Sequence, residues 1–135
     1  MASIYKEILI DAHPKDVWAA IRDVGAVHQR LVPGIVVDAR FDGEARVVTF
    51  ANGMVVRELI VTIDDEVRRF AYASVGGQAI HHNASIQVFA EGEDRTRLVW
   101  ITDVLPNKLA APIGALVEQG AAVMKQTLER QAPHE

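Results

Sequence analysis

The stretch Ile80-His81-His82-Asn83-Ala84-Ser85-Ile86-Gln87-Val88-Phe89-Ala90 alternates in character. Ile80, His82, Ala84, Ile86 and Val88 share one parity, and His81, Asn83, Ser85 and Gln87 share the other. Successive side chains of a strand point to opposite faces, so this run predicts a half-buried strand whose apolar set carries His82 inward. One buried and one wetted face is the habit of antiparallel sheets. Turn signals bound the run: Gly76-Gly77 before it and Glu91-Gly92-Glu93-Asp94 after it.

The same period extends to both sides. Downstream, residues 96–104 put Leu98, Trp100, Thr102 and Val104 inward and Arg97 and Asp103 outward, ahead of Pro106. Upstream, strands are expected over 35–41, 46–51, 54–63 and 68–75, separated by Asp42-Gly43, Asn52-Gly53 and Asp64-Asp65-Glu66. Asp-Gly and Asn-Gly predict type I′ hairpin turns, in which both residues take positive φ. In 54–63 the parity is divided, since Val56, Glu58 and Ile60 compete with Val55, Arg57 and Leu59.

Residues 4–10 are dense in β-branched and aromatic types and predict a first strand. Pro14 suits a first helical position, and Val17, Trp18 and Ile21 follow at helical spacing, with Trp18 as the large anchor. A second short helix is expected over 26–31, stopped by Pro33-Gly34. The last element runs from Leu109 or Pro112 to Gln131, with Leu109, Ile113, Leu116, Gly120, Val123, Met124 and Leu128 on one face. Gly114, Ala115, Gly120, Ala121 and Ala122 are small for a core helix, which predicts either close backbone approach or open space. The whole predicts an α+β fold: seven antiparallel strands curved around a long C-terminal helix, two short helices after the first strand, and a gap between sheet and helix. One domain over residues 1–135 is expected.

The chain has 135 residues, a formal net charge of -4 and no cysteine. There is no disulfide framework, thiolate nucleophile or cysteine-based zinc site. Basic residues are scattered, with Arg68-Arg69 the one adjacent pair, so nucleic acid is not an expected partner. Residues 1–7 contain no apolar core of signal-peptide type, and the least charged stretch, 109–117, is too short to cross a bilayer. No integral membrane segment and a cytoplasmic location are expected.

The order of elements, together with Ile10-Asp11-Ala12-His13-Pro14-Lys15-Asp16-Val17-Trp18, resembles the START/Bet v 1-like superfamily, including the polyketide cyclase/dehydrase and lipid transport domains. The resemblance implies a helix-grip fold around a cavity for a hydrophobic ligand. Residues 52–83 look like the abscisic-acid-receptor branch: Asn52-Gly53-Met54 at a gate-like hairpin, Glu58 ahead of Ile63-Asp64-Asp65-Glu66, and Val75-Gly76-Gly77 before His82-Asn83. By that resemblance Glu58 is a polar pocket residue, Ala84 and Ile86 line the wall, and the two loops close the cavity. The chain departs from the branch in lacking the gate proline, the charged latch with its histidine, and the pocket lysine, near whose place Pro33 falls. Recognition of the plant hormone is therefore not expected.

Chemistry rests on few residues. His81 and His82 are strand neighbours on opposite faces and cannot chelate one ion together, so no metal site is expected. His13 reads as a helix-entry residue, His28 as a surface residue of the short helix and His134 as tail. There is no Gly-x-Ser-x-Gly elbow, P-loop or dinucleotide fingerprint, and no cofactor is expected. Glu58 and His82 are the candidate acid/base pair if both enter an apolar cavity; alternatively Glu58 pairs with Arg57, Arg46 or solvent, and His82 is a hydrogen-bonded core residue. The expected ligand-binding set is Val56, Glu58, His82, Ala84, Ile86, Trp100, Leu116, Gly120 and Val123, around a cavity of roughly a few hundred Å³. The leading functional expectation is binding of a small hydrophobic or amphipathic molecule by a monomer or homodimer. The alternatives are a polyketide cyclase/dehydratase-type enzyme and a protein-interaction module.

Overall fold

The computed structural model describes residues 2–76 and 78–131. The described residues form β1 (Ala2–Ile10), α1 (Pro14–Arg22), α2 (Val27–Arg30), β2 (Val36–Phe41), β3 (Ala45–Phe50), β4 (Val55–Asp64), β5 (Arg69–Val75), β6 (His81–Glu91), β7 (Arg95–Leu105) and α3 (Ala110–Gln131). A 3-10 turn (Val24–Ala26) precedes α2 and another (Asn107–Leu109) precedes α3. The strands make one seven-stranded antiparallel sheet in the order β1-β7-β6-β5-β4-β3-β2. β2 to β7 are a meander, and β1 closes the far edge beside β7. This is the helix-grip architecture read from the alternation and the turns.

The turns are built differently from the expected type I′. Gly43 and Gly53 take positive φ, at 94° and 90°, but Asp42 and Asn52 do not. Their side chains instead fold back on the chain. Asp42 Oδ1 accepts from the backbone N–H of Glu44 and Ala45, Asn52 Oδ1 from Met54, and Asp64 Oδ1 from Glu66 and Val67. Asp and Asn favour turns for this reason, since their short side chains satisfy amides that the ladder leaves free.

Parity holds along the inner face, and the divided run resolves in favour of Val56, Glu58 and Ile60. A bulge between Ile60 and Thr62 then shifts the register, so that Ile63 continues inward opposite Phe70. Ile80, expected inward, lies before β6 begins and is 83% exposed. The helices cap the sheet's open side. His13 caps α1 by accepting from the Lys15 amide, as its place before Pro14 suggested. Trp18 is buried and donates from Nε1 to Asp65 Oδ1 at 2.8 Å, tying α1 to the turn between β4 and β5. His28 is half-buried rather than on the surface, and its Nδ1 is enclosed without a partner among the described residues. His134 lies outside the described residues.

α3 presents Val117, Gly120, Ala121, Met124, Thr127 and Leu128 to the interior. Burying Val117, Met124 and Leu128 stabilises the fold by about 1.5–3 kcal/mol each. The helix is thus rotated by about one residue from the expected face: Leu116 is 41% exposed and Leu109 belongs to the preceding turn. Lys6 of β1 bonds Glu118 at 2.9 Å, and Lys125 bonds both the Leu9 carbonyl and Glu129, so α3 is laced to the edge strand by polar contacts.

Candidate functional site

On the inner face the register aligns Arg46 with Glu58 and Glu58 with Ser74. The pairing of Tyr72 with Ala84 carries that register one pleat further, to Ser74 opposite His82. A polar row therefore crosses four adjacent strands on a mainly apolar face.

Between this row and α3 lies a cavity of about 130 Å³. It is smaller than the expected few hundred Å³, because the Arg46–Glu58 pair, Tyr72, Trp100 and Met124 project into the concavity. An apolar cavity of about 150 Å³ accepts a benzene-sized molecule, which sets the scale. Of the residues expected to bind ligand, Glu58, His82, Ile86, Trp100, Leu116 and Gly120 line it. Ala84 is inward and fully covered, while Val56 and Val123 pack against the core; these three lie outside the lining. Arg46, Tyr72 and Ser74 line it and were not anticipated there. Their signal was present in the parity of Arg46, Val48 and Phe50 and of Phe70, Tyr72 and Ser74.

Arg46 Nε donates to Glu58 Oε1 at 2.7 Å, and the two residues are 5% and 8% exposed. The Arg46 guanidinium carbon lies 5.1 Å from the Phe70 ring centre and 5.2 Å from that of Tyr72, a distance at which aromatic faces attract a cation. The Tyr72 hydroxyl is pushed well above its ordinary value of 10.0, first by burial and then by the charge of Glu58, so it stays protonated and able to donate. Trp100 Nε1 is buried without a hydrogen-bond partner among the described residues. The Tyr72 hydroxyl lies beside it, short of bonding geometry.

Burial lowers His82 below the ordinary 6.5, and His81 pushes the same way while Glu58 opposes. His82 is therefore a neutral imidazole at neutral pH, which can hold or accept a proton. His81, on the other face, bonds Asn83. Among the described residues no group of three or more His, Cys, Asp or Glu gathers in a way that could hold a metal ion.

Of the lining residues Leu116 is exposed, and Ile35, Phe50, Ser74, His82, Trp100 and Ile113 are half-buried. The loop at 51–54 follows Phe50, and the loop at 76–80 runs from the end of β5 to His81 and His82. No described residue of either loop lines the cavity. Gly53 and Gly76 have φ of 90° and 86°, which other residues rarely adopt. Gly77 lies outside the described residues.

A curved sheet gripping one long helix over a cavity defines a START/Bet v 1-like protein. The model of the polyketide cyclase / dehydrase and lipid transport family matches residues 1–133, and the chain belongs to that family. No curated protein matches the sequence. Among solved structures, the protein XoxI from Bacillus cereus superposes with a TM-score of 0.82 at 17% identity, covering 96% of this chain and 94% of that one. A START superfamily protein from Mycobacterium smegmatis gives a TM-score of 0.73 at 12% identity, with 96% of each chain covered. A point mutant of norcoclaurine synthase from Thalictrum flavum, in complex with a transition-state analogue, gives 0.68 at 23% identity over 97% of this chain and 96% of that one. These likenesses establish the fold. No described helix is long and apolar enough to cross a membrane.

Proposed function

We propose that residues 1–135 form one START/Bet v 1-like domain that binds a small hydrophobic or amphipathic molecule between the sheet and α3. The observation that carries this reading is the cavity of about 130 Å³, with mainly apolar walls and a polar row along one side. Pockets of this composition bury a ligand's apolar body and orient it by a few polar groups. Family membership supports the ligand class. A ligand that binds the folded state stabilises it by mass action, so the test is a thermal-shift series with single-ring aromatic, isoprenoid and fatty-acyl compounds. The melting temperature is expected to rise with concentration for single-ring compounds. No shift with any class, together with no ligand retained in native mass spectrometry, would leave the protein-interaction reading in its place.

A second reading, acid/base chemistry of the cyclase/dehydratase kind, is favoured by Glu58 and His82 lining the same cavity. Glu58 is already held by Arg46, which commits its carboxylate to an ion pair and leaves His82 the freer proton carrier. Turnover of a cyclisable or dehydratable substrate, reduced by orders of magnitude in His82→Asn, is the measurement that distinguishes catalysis from binding.

A further inference from the structure

The polar atoms facing the cavity are unequally provided for. Arg46 makes one side-chain hydrogen bond, through Nε, and its Nη1 and Nη2 have no acceptor among the described residues although the residue is almost fully buried. The Tyr72 hydroxyl makes no hydrogen bond of full geometry among the described residues, lying beside Trp100 Nε1 without bonding it, and of these atoms Trp100 Nε1 is the one fully enclosed without a partner. Three side chains on β3, β5 and β7 therefore bring unspent N–H and O–H donors to one small cavity. Buried donors are seldom left unpaired, because an unmade bond costs about 1–3 kcal/mol per group. Glu58 gives Oε1 to Arg46, and its Oε2 has no donor among the described residues.

Charge decides what kind of acceptor fits. Arg46 and Glu58 already balance each other. An anion entering the cavity would leave a net negative charge in a poorly solvated place, close to Glu58 Oε2. His82 is neutral and does not offset it. A neutral oxygen carries no such cost and accepts the same bonds.

Resting on the reading of the cavity as a ligand site, we infer that Arg46, Tyr72 and Trp100 form a binding site for the oxygen of a neutral carbonyl compound, a single-ring ketone, aldehyde or ester. The ring occupies the apolar volume beside Ile86 and Met124, and the carbonyl oxygen accepts from the unspent donors.

Three probes of nearly equal size separate the possibilities: ethylbenzene, acetophenone and benzoate, titrated by calorimetry into the full chain at neutral pH. Acetophenone is expected to bind about tenfold more tightly than ethylbenzene, the equivalent of one or two net hydrogen bonds, and benzoate most weakly. Tyr72→Phe keeps the ring shape and removes one donor; Trp100→Phe removes one donor and part of the ring as well, a change of volume that ethylbenzene reports separately. Each variant should cut the acetophenone preference severalfold, and in Tyr72→Phe ethylbenzene affinity stays within about twofold; ethylbenzene binding also shows that the variant is folded. Equal affinity for acetophenone and ethylbenzene, tightest binding of benzoate, or a preference untouched by both variants overturns the carbonyl site while leaving the cavity a ligand site. Failure of all three probes to bind overturns both.

Discussion

Gly120 and Trp100 hold α3 and β7 so close that a side chain at 120 would press on the indole: a Cβ there would stand 3.2 Å from Cη2 and 3.4 Å from Cζ3. The small residue thus serves close approach, not open space. Gly120→Ala gains about 1 kcal/mol of helix propensity and forces the indole toward the adjoining cavity. The expected outcome is a melting temperature unchanged or slightly raised, with single-ring probes bound at least tenfold more weakly. A loss of more than about 1 kcal/mol, the sign of overpacking, would mean that Trp100 has nowhere to go.

The Arg46–Glu58 pair is expected to behave as a unit. Glu58→Met strands a guanidinium charge and should cost about 3–5 kcal/mol, whereas Arg46→Met together with Glu58→Met should come within about 1 kcal/mol of the parent, because well-packed apolar residues replace buried ion pairs at little loss. Chemical denaturation of the two single variants and the double variant closes the cycle. Additive losses would show the two residues to be independent.

Trp18 anchors α1 by burial and by its bond to Asp65, whose carboxyl is held below its usual range chiefly by Arg22 and next by Trp18. Trp18→Ala should cost about 3–5 kcal/mol. Trp18→Phe, which keeps most of the packing and loses the hydrogen bond, should cost about 1 kcal/mol. Equal losses in urea unfolding would show that the bond, and not the ring, does the anchoring.

Two groups give acid lability in separate windows. The amides of Ala45 and Glu44, then Arg57, hold Asp42 at about 2 against an ordinary 3.8. A lowered folded-state value means stability present above 3.8 and lost as pH falls through about 2. His82, lowered mainly by burial, is neutral in both states above 6.5; below that the unfolded chain takes its proton first, so stability is lost as pH falls through the folded-state value. His82→Gln should flatten the upper window and Asp42→Asn the lower. A His82 ring titrating at or above 6.5 by NMR would contradict the burial argument.

The sheet was legible because Ile80 to Ala90 alternates cleanly and turn residues punctuate every hairpin, with glycine in all but the Asp64-Asp65-Glu66 turn. Glu58 and His82 were legible as site residues for the same reason, each being a polar residue on an apolar parity. Arg46 and Tyr72 follow that rule too, yet an arginine at a hairpin start and a tyrosine in a strand are ordinary on a surface, and only the register sets Arg46 opposite Glu58 and Tyr72 opposite Ile60, one pleat along. The phase of α3 was misread by one position because Gly and Ala surround the helix, so that its apolar stripe has no sharp edge. Cavity volume had no local signature at all, being the small difference between the sheet's concavity and the bulk of side chains contributed by eight elements.

The placement of β1 beside β7 also bears on how the chain acquires its shape. Strands β2 to β7 each pair with a sequence neighbour, so their ladders close short loops, whereas Ser3 bonds Asp103, 100 residues away. Loop-closure entropy delays such a contact until much of the intervening chain is ordered. During synthesis the first strand made must wait, exposed, for the last strand to emerge. α3 lies against that late-formed edge, so the cavity exists only once the two ends of the chain have met.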